Sequence, residues 1–191
     1  MRESCRDSKP AKHSIPQLRR KVATKEKMVR SSLDSLVITK DSTYERDLCE
    51  WSNFYVFQYF EDIWHHLQYL ALFGNKLVDN VALELGNLST LYELYIAYYN
   101  TYFDDIPPEI ENLSNLVWLD VAYCGLSGEI PTKLGKLQNL NTLFLQVSAL
   151  SGSLTPELGS LKSLKSMDLS NNMLSDEVPA SFAKLKNLTL C

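Results

Sequence analysis

The chain has 191 residues, a formal net charge of −4 at pH 7, and 45% hydrophobic against 22% charged residues. This length leaves room for one domain. No apolar run reaches the roughly 18 residues that a membrane-spanning helix requires, so we expect no direct contact of this chain with a membrane. Residues 1–30 hold ten Lys or Arg against three acidic residues, whereas residues 31–191 hold nine against twenty. Since the acidic part would repel a phosphate backbone, nucleic acid is excluded as its partner.

Residues 1–47 are basic and polar, and they share no period with the rest of the chain. The first part of this segment lacks the apolar core of about 7 to 15 residues that a secretory signal contains. Binding of nucleic acid through the cluster Arg19-Arg20-Lys21 is an alternative, but no aromatic residues interleave with the cluster and no nucleic-acid-binding motif contains it. We therefore expect residues 1–47 to form a disordered basic tail.

Residues 48–66 are rich in aromatic side chains. Val56, Phe60, Ile63 and Leu67 are separated by 4, 3 and 4 residues, a spacing that places them on one face of a helix. The terminal repeat of a stacked array needs such a cover, because its inner side chains would otherwise meet water. The pattern predicts a helical cap over residues 48–66, with a degenerate segment as the alternative.

An apolar pattern recurs every 24 or 25 residues from Leu67 to the end of the chain. Counted from the first leucine of a copy, apolar residues stand at offsets 3, 5, 10, 14, 18 and 21, and the second copy carries one inserted residue. Five copies and a truncated sixth begin at Leu67, Leu91, Leu116, Leu140, Leu164 and Leu188. A fixed period of about 20 to 29 residues with an L-x-x-L-x-L core is the signature of a leucine-rich repeat. Residues 67–191 are therefore predicted to form a leucine-rich-repeat domain.

The same spacing predicts the shape of this domain. One repeat cannot bury its own leucines, so successive copies must stack and share an interior. Side chains around offset 3 alternate between the two faces of the chain, as they do in a strand. We expect an α/β repeat solenoid, a right-handed superhelix with short parallel strands on its concave face and loops or 3-10 turns on its convex face. At offset 8, Asn75 and Asn172 are predicted to bind backbone groups of the inner turn, where Cys124 and Ser148 stand in other copies.

Short motifs inside the repeats resemble a known family. Gly128-Glu-Ile-Pro131, Gly135-Lys-Leu137 and Asn171-Asn-Met-Leu174 match the L-x-G-x-I-P-x-x-L-G-x-L form of plant leucine-rich-repeat receptor kinases. Four longer strings resemble the ectodomains of the BARELY ANY MERISTEM and CLAVATA-type receptors, namely Glu93–Asn100, Thr142–Gln146, Leu164–Asn172 and Pro179–Ala183. The likeness covers residues 64–191.

The resemblance implies a plasma-membrane receptor whose extracellular solenoid binds short secreted peptides and recruits a co-receptor, with a cytoplasmic Ser/Thr kinase. This chain shows neither a signal peptide nor a spanning segment, so an intracellular location stays open. It also contains no Gly-rich loop and no V-A-I-K, H-R-D or D-F-G sequence, the motifs that position phosphates and metal in a kinase. We expect a monomeric, non-enzymatic binding module that needs no cofactor.

The outward side chains of the strands are the candidate binding site, because packing in the interior does not fix them. Tyr and Trp among them provide a large contact area at low entropic cost, and the acidic residues favour cationic groups. The predicted ligand-binding residues are Tyr95, Tyr98, Trp118, Asp120, Tyr123, Phe144, Gln146 and Asp168. One alternative is that these side chains only pack against each other at neighbouring strands. Another is that the whole chain is a non-signalling relic or an intracellular protein-interaction scaffold.

Several positions depart from the family's pattern, and one of these departures is Val81-Ala82 in place of Ile-Pro. Asp79 and Asp176 stand at offset 12, where the pattern has glycine, and Glu111 replaces the glycine of the L-G-x-L step. If those glycines hold a positive φ, each replacement costs about 1 kcal/mol.

Two further sets of residues concern modification and metal binding. Sequons at Asn87, Asn112 and Asn187 are predicted glycosylation sites if the chain is secreted. No His, Cys or carboxylate cluster has the spacing of metal ligands, so no metal site is predicted. Cys124 is expected to be structural, because its offset assigns it to the inner turn and no histidine is placed to activate it.

Overall fold

The computed structural model describes residues 27–32, 35–39, 66–74 and 77–190. Its strands are β1 (Lys27–Ser32), β2 (Ser35–Thr39), β3 (Tyr69–Ala71), β4 (Val78–Asp79), β5 (Glu93–Tyr95), β6 (Thr101–Tyr102), β7 (Trp118–Asp120), β8 (Thr142–Phe144), β9 (Ser151–Ser153), β10 (Ser166–Asp168), β11 (Met173–Ser175) and β12 (Thr189–Leu190). Five 3-10 helices alternate with them, at Leu83–Asn87, Pro108–Asn112, Thr132–Lys136, Pro156–Ser160 and Ala180–Lys184. The helical cap predicted for residues 48–66 lies outside the described residues except for His66.

The repeats join through one sheet, in which the strands from β2 to β12 are parallel. Its order is β1-β2-β3-β5-β7-β8-β10-β12, so each repeat adds one strand next to that of the repeat before it. The middle residues of five strands pair in line, Leu70 with Leu94, then Leu119, Leu143 and Met167, and all five are buried. These residues stand at offset 3 of each copy. The predicted register is confirmed, and the domain is a leucine-rich-repeat solenoid.

A single apolar interior lies between the sheet and the 3-10 helices. The strand leucines and helix residues such as Leu85, Leu134 and Leu158 belong to the same buried cluster. Each 3-10 helix contributes the side chain at offset 18 to this interior. The period of the sequence places a leucine-like residue at that offset in every copy. The interior is therefore shared between neighbouring repeats, as the spacing predicts.

The glycine of the L-G-x-L step allows one repeat to approach the next. A Cβ on Gly86 would lie 2.7 Å from the carbonyl oxygen of Glu109, and one on Gly135 would lie 2.5 Å from that of Glu157. Real Cβ atoms essentially never come so close to another heavy atom. Glycine is required here by steric contact.

The second copy replaces this glycine with Glu111, and the next repeat compensates. The Glu111 carboxylate forms ion pairs with Lys133 at 2.8 Å and Lys136 at 2.5 Å. Hydrogen bonds from these lysines lower the pKa of Glu111. The ion pairs connect two neighbouring 3-10 helices where the other copies use close backbone contact.

Asparagine side chains bridge the repeats at the inner turn. Asn100 accepts a hydrogen bond from the Leu77 N–H at 3.0 Å and donates to two carbonyls, and Asn172 makes the equivalent bonds. The prediction is confirmed for Asn172, whereas Asn75 lies outside the described residues. Asn100 escaped the sequence analysis because the inserted residue moves it by one place. At the same offset of the third repeat, the Cys124 thiol donates to the Val121 carbonyl three residues before it.

Two strands lie within residues 1–47, the segment for which the sequence predicts a disordered tail. β1 and β2 form an antiparallel pair, and β2 pairs in parallel with β3, with Leu36 opposite Leu70. The physical reason is that β3 would otherwise present a row of unpaired N–H and C=O groups at the edge of the sheet. The segments Met28-Val29 and Leu36–Ile38 supply residues with β propensity for this pairing.

Backbone geometry at offset 12 explains the glycine of the family's pattern. Gly128 and Gly152 have φ of 67° and 74°, and Asp176 at the same offset has φ of 68°. The fifth repeat therefore holds an aspartate in a conformation that favours glycine. In the first repeat, Asp79 ends strand β4.

Candidate functional site: the outward face of the sheet

The outward face of the sheet is built from positions just before and after the buried middle residue of each strand. Offset 2 aligns Tyr69, Glu93, Trp118, Thr142 and Ser166 across the repeats. Offset 4 aligns Ala71, Tyr95, Asp120, Phe144 and Asp168 in the same way. The sheet register thus brings the predicted strand residues Tyr95, Trp118, Asp120, Phe144 and Asp168 onto one surface.

Four aromatic side chains form a continuous row, called here the aromatic row: Tyr69, Tyr95, Trp118 and Phe144. Their ring centroids are 5.3, 5.8 and 5.7 Å apart in that order. Members of the row alternate between offset 2, in Tyr69 and Trp118, and offset 4, in Tyr95 and Phe144. Each ring therefore contacts a diagonal neighbour on the next strand, which is within reach of a large side chain. All four side chains are half-buried. Packing between strands, the alternative considered from the sequence, is therefore part of what these residues do.

A second aromatic group, the tyrosine stack, consists of Tyr98 and Tyr123. Their rings are stacked with centroids 4.8 Å apart and planes 17° from parallel. Unlike the aromatic row, both residues are largely exposed, at 41% and 46%. Large exposed aromatic rings on a sheet face mark a surface suited to binding.

Both tyrosines of the stack have a left-handed backbone. Their φ angles are 52° and 53°, and Gly74, Val147 and Asn171 at the same offset 7 have φ of 77°, 55° and 55°. The solenoid therefore requires positive φ at this position in every described repeat. Tyrosine and valine adopt it at a conformational cost that glycine and asparagine avoid.

The acidic residues of the site are held by the backbone or by neighbouring side chains. The Ala122 N–H donates to Asp120 at 3.1 Å, and the Ser170 N–H donates to Asp168 at 2.9 Å. Asp120 is only 8% exposed. Burial raises the pKa of Asp120, and the hydrogen bond from Ala122 opposes part of this shift.

The hydroxyl of Tyr95 donates to the Glu93 carboxylate at 2.7 Å. Burial raises the pKa of this phenol, and the hydrogen bond to Glu93 raises it further. Because Tyr95 remains a neutral donor at physiological pH, it fixes the orientation of Glu93 on the face.

Two polar atoms of the site have no hydrogen-bond partner within the described residues. They are the indole Nε1 of Trp118 and the amide Oε1 of Gln146, and both are buried. Buried polar atoms in proteins are nearly always paired. The described residues thus leave one donor and one acceptor at these offsets without an internal partner.

Other residues considered from the sequence lie away from this face. Burial raises the pKa of the Cys124 thiol to about 12, so it is not a thiolate nucleophile. No group of three or more His, Cys, Asp or Glu within the described residues is arranged to hold a metal ion. Asn87, Asn112 and Asn187 are exposed, and the first two end 3-10 helices rather than strands. In the described part of the chain, no helix has the length and apolarity to cross a bilayer.

Comparison with known proteins places this fold in a class. A sequence profile of the Leucine Rich Repeat family matches residues 115–137 and 163–185. With the register of the sheet and the shared interior, this match shows that the repeats form a leucine-rich-repeat domain. Solved structures then show that its repeats are similar to those of plant receptor kinase ectodomains.

Three of these structures illustrate the likeness. A TDR receptor is 42% identical, with a TM-score of 0.64, over 66% of this chain and 22% of the other. The ectodomain of the membrane receptor kinase GASSHO1/SCHENGEN3 from Arabidopsis thaliana, in complex with CASPARIAN STRIP INTEGRITY FACTOR 2, is 32% identical, with a TM-score of 0.66, over 70% and 16%. The Arabidopsis receptor kinase HAESA, in complex with the peptide hormone IDA and the co-receptor SERK1, is 35% identical, with a TM-score of 0.63, over 66% and 21%. The matched region is thus a small part of each of these chains.

Proposed function

We propose that this chain is a peptide-binding module that resembles part of a plant receptor-like kinase ectodomain of the BARELY ANY MERISTEM or CLAVATA type. Its ligand is a short secreted signalling peptide that lies extended across the outward face of the sheet, and a co-receptor is its second partner. The solved complex of HAESA with a peptide hormone and a co-receptor supports this proposal. The function is binding, and no catalytic step is assigned to the chain.

The observation that carries the proposal is the composition of the outward face. The aromatic row provides apolar contact area, and the indole Nε1 of Trp118 within it and the Oε1 of Gln146 are buried without a partner among the described residues. In the proposed complex these two side chains turn outward to meet the peptide. A peptide backbone offers both a carbonyl for the indole and an N–H for the amide oxygen. The face therefore combines hydrophobic contact with main-chain recognition, as peptide sites do.

The dimensions of the sheet set the length of peptide that fits. Neighbouring strands are about 4.8 Å apart, so the strands from β3 to β10 span about 19 Å. An extended peptide advances about 3.3 Å per residue, so about six residues cross this surface. A longer ligand would continue beyond the described strands.

The location follows from the same resemblance. GASSHO1/SCHENGEN3 is a plant membrane receptor kinase with an ectodomain of this fold, and we place this module on the extracellular side of the plasma membrane. In that setting Asn87, Asn112 and Asn187 would carry glycans, because their side chains are exposed. Glycans on the 3-10 helices leave the outward face of the sheet free.

A displayed library of short linear peptides, followed by calorimetry on the purified chain, tests the proposal. We expect selected peptides to bind at a single site and to protect the outward face from hydrogen exchange. Failure to select any peptide that gives measurable heat would contradict a peptide-binding function. It would instead favour the alternative of a protein-interaction scaffold or a non-signalling relic.

The variant Trp118→Phe identifies the site. It removes the indole N–H and keeps an aromatic ring between Tyr95 and Phe144, so the fold is retained. Loss of one hydrogen bond of about 1 kcal/mol should weaken peptide binding about fivefold. Tyr92→Phe is the control, because Tyr92 precedes β5 and stands at neither of the outward strand offsets. Equal weakening by both variants would show that the peptide binds elsewhere.

A further inference from the structure

The tyrosine stack ends at an empty position of the repeat array. Tyr98 and Tyr123 occupy offset 7 of the second and third repeats, and their rings are 4.8 Å apart, which matches the separation of neighbouring strands of about 4.8 Å. The rings therefore stack along the direction in which the repeats follow one another. Offset 7 of the first repeat is Gly74, which has no side chain to continue the stack.

Gly74 leaves a slot beside Tyr98. The Gly74 N–H donates to the Tyr98 carbonyl at 2.9 Å, so the two backbones are direct neighbours. A Cβ built on Gly74 would meet no heavy atom of the described residues within 4 Å, apart from its chain neighbours. The backbone at Gly74 has φ of 77° and follows the same left-handed path as the tyrosines. The position is a gap one repeat wide, next to the face of an exposed ring.

The charged side chains at the outward offsets of the five repeats have one sign. Offsets 2, 4, 6 and 7 of the five repeats include Glu93, Asp120 and Asp168 and contain no Lys or Arg. Asp120 and Asp168 act on the phenol of Tyr98, whose pKa is raised first by burial and then by Asp120, Tyr123 and Asp168. A group that enters the slot is therefore in a negative field, and only a cation is complementary to it.

We propose that the tyrosine stack and the slot at Gly74 form a subsite for an arginine side chain of the bound peptide. This inference rests on the proposed function and names a chemical requirement of the ligand. The planar guanidinium continues the stack on the free face of Tyr98, and its positive charge is attracted by both the ring and the carboxylates. Arginine suits the slot better than lysine, because a guanidinium is flat, stacks on aromatic rings and is more weakly hydrated.

The first experiment uses small probes and does not depend on a peptide ligand. N-acetyl-arginine methylamide is titrated into the chain with labelled tyrosines, and the ring signals are followed by NMR. N-acetyl-citrulline methylamide, which has almost the same shape and no charge, is titrated in parallel. We expect the arginine probe to shift the Tyr98 and Tyr123 signals and to bind about fivefold more tightly than the citrulline probe. Equal affinities of the two probes would overturn the proposal.

Asparagine variants test the stack without disturbing the fold, because Asn171 already occupies offset 7 of the fifth repeat with φ of 55°. Tyr98→Asn should remove the preference for arginine, and Gly74→Asn should weaken it by filling the slot. Tyr99→Asn is the matched control, since Tyr99 is the adjacent tyrosine, is 78% exposed, and also has a positive φ. Loss of the preference in Tyr99→Asn, or its survival in Tyr98→Asn, would contradict the assignment.

The second experiment separates this inference from the proposed function. Each peptide selected from the library is resynthesised with its arginines replaced by citrulline. We expect about a fivefold loss of affinity for the wild-type chain and no loss for Tyr98→Asn. If peptides bind and the citrulline forms bind equally well, the peptide-binding function stands and the arginine subsite is rejected. If no peptide binds but the arginine probe still shifts Tyr98, the subsite stands and the peptide-binding function is rejected.

Discussion

At the scale of single residues, the repeat requires a left-handed backbone at offset 7, and the residues at this offset differ in how easily they adopt it. Offset 7 is left-handed in all five described repeats. Glycine and asparagine adopt this region readily, whereas a β-branched side chain there is a clear outlier. Val147 is the β-branched residue at this offset, so the fourth repeat contains local backbone strain.

Replacing Val147 with asparagine should therefore stabilise the protein. The left-handed region costs an ordinary residue about 1 to 2 kcal/mol, and asparagine recovers part of this by local hydrogen bonding, so Val147→Asn should raise the free energy of unfolding by about 1 kcal/mol. Chemical denaturation measures the change. Val178→Asn is the control, because Val178 is an exposed valine outside offset 7. An equal or greater gain in the control would show that backbone strain is not the cause.

Because Asp120 is buried, we expect the free energy of unfolding to depend on pH with a sign that is unusual for an aspartate. Burial raises its pKa in the folded state, so the folded protein holds the proton more tightly than the unfolded chain. The contribution of Asp120 to stability therefore falls as pH rises from the ordinary pKa of an aspartate through the raised value, and the loss persists at neutral pH. In the variant Asp120→Asn this fall should be absent, because the amide oxygen can still accept from the Ala122 N–H while no charge is buried.

Unfolding free energies of wild type and Asp120→Asn across acidic to neutral pH provide the measurement. Asp168→Asn removes a carboxylate from the same offset of the fifth repeat, where the side chain is more exposed, and serves for comparison. A variant that is less stable than wild type at neutral pH, with an unchanged pH profile, would refute the argument.

At the scale of the repeat, stability depends on leucines that serve two neighbours at once. Leu145 is fully buried in the interior that the fourth repeat shares with the third and fifth. Leu145→Ala should lower the free energy of unfolding by about 2 to 5 kcal/mol, because it leaves a cavity that a stacked array cannot close. Leu83→Ala provides the comparison, since Leu83 is exposed on a 3-10 helix, and it should change the free energy by less than about 1 kcal/mol. Melting temperatures that agree for the two variants would contradict the register.

At the scale of the whole molecule, the N-terminal strands determine how the solenoid begins. β2 pairs with β3 and moves the free edge of the sheet away from the first repeat, to β1. An unprotected edge pairs with other chains, so this addition limits self-association as well as completing the hydrogen bonds of β3.

The variant Val37→Pro tests this role. Proline lacks the N–H of a strand residue and is not accommodated in a paired strand, so it should detach β2 from the sheet. We expect a lower melting temperature and concentration-dependent self-association in sedimentation experiments. Val37→Ala keeps the N–H and should remain monomeric. A monomeric Val37→Pro with an unchanged melting temperature would show that the first repeat does not depend on β2.

Much of the fold could be predicted because a period is a property of the sequence alone. The spacing of Leu119, Leu143 and Met167 identifies them as equivalent, and stacking then requires them to pair and to be buried. The same reasoning fails for Asn100, because one inserted residue shifts it by one place along the chain, although it makes the same hydrogen bonds as Asn172. It also fails for β1 and β2, which lie outside the period and are ordered by pairing with each other and with β3.

The candidate site was predicted as a set of outward residues, but not as two different groups. Whether Trp118 packs within a row or stands free depends on the rings of the repeats on either side, which lie 24 or 25 residues away in the chain. The sequence by itself determined the repeat, its register and the face on which the aromatic residues lie, because burial of leucines at a fixed period admits one arrangement. Only the tertiary structure decided that Tyr98 and Tyr123 stack on left-handed backbones next to the gap at Gly74. These contacts form between repeats, so they depend on the distance at which the repeats are stacked.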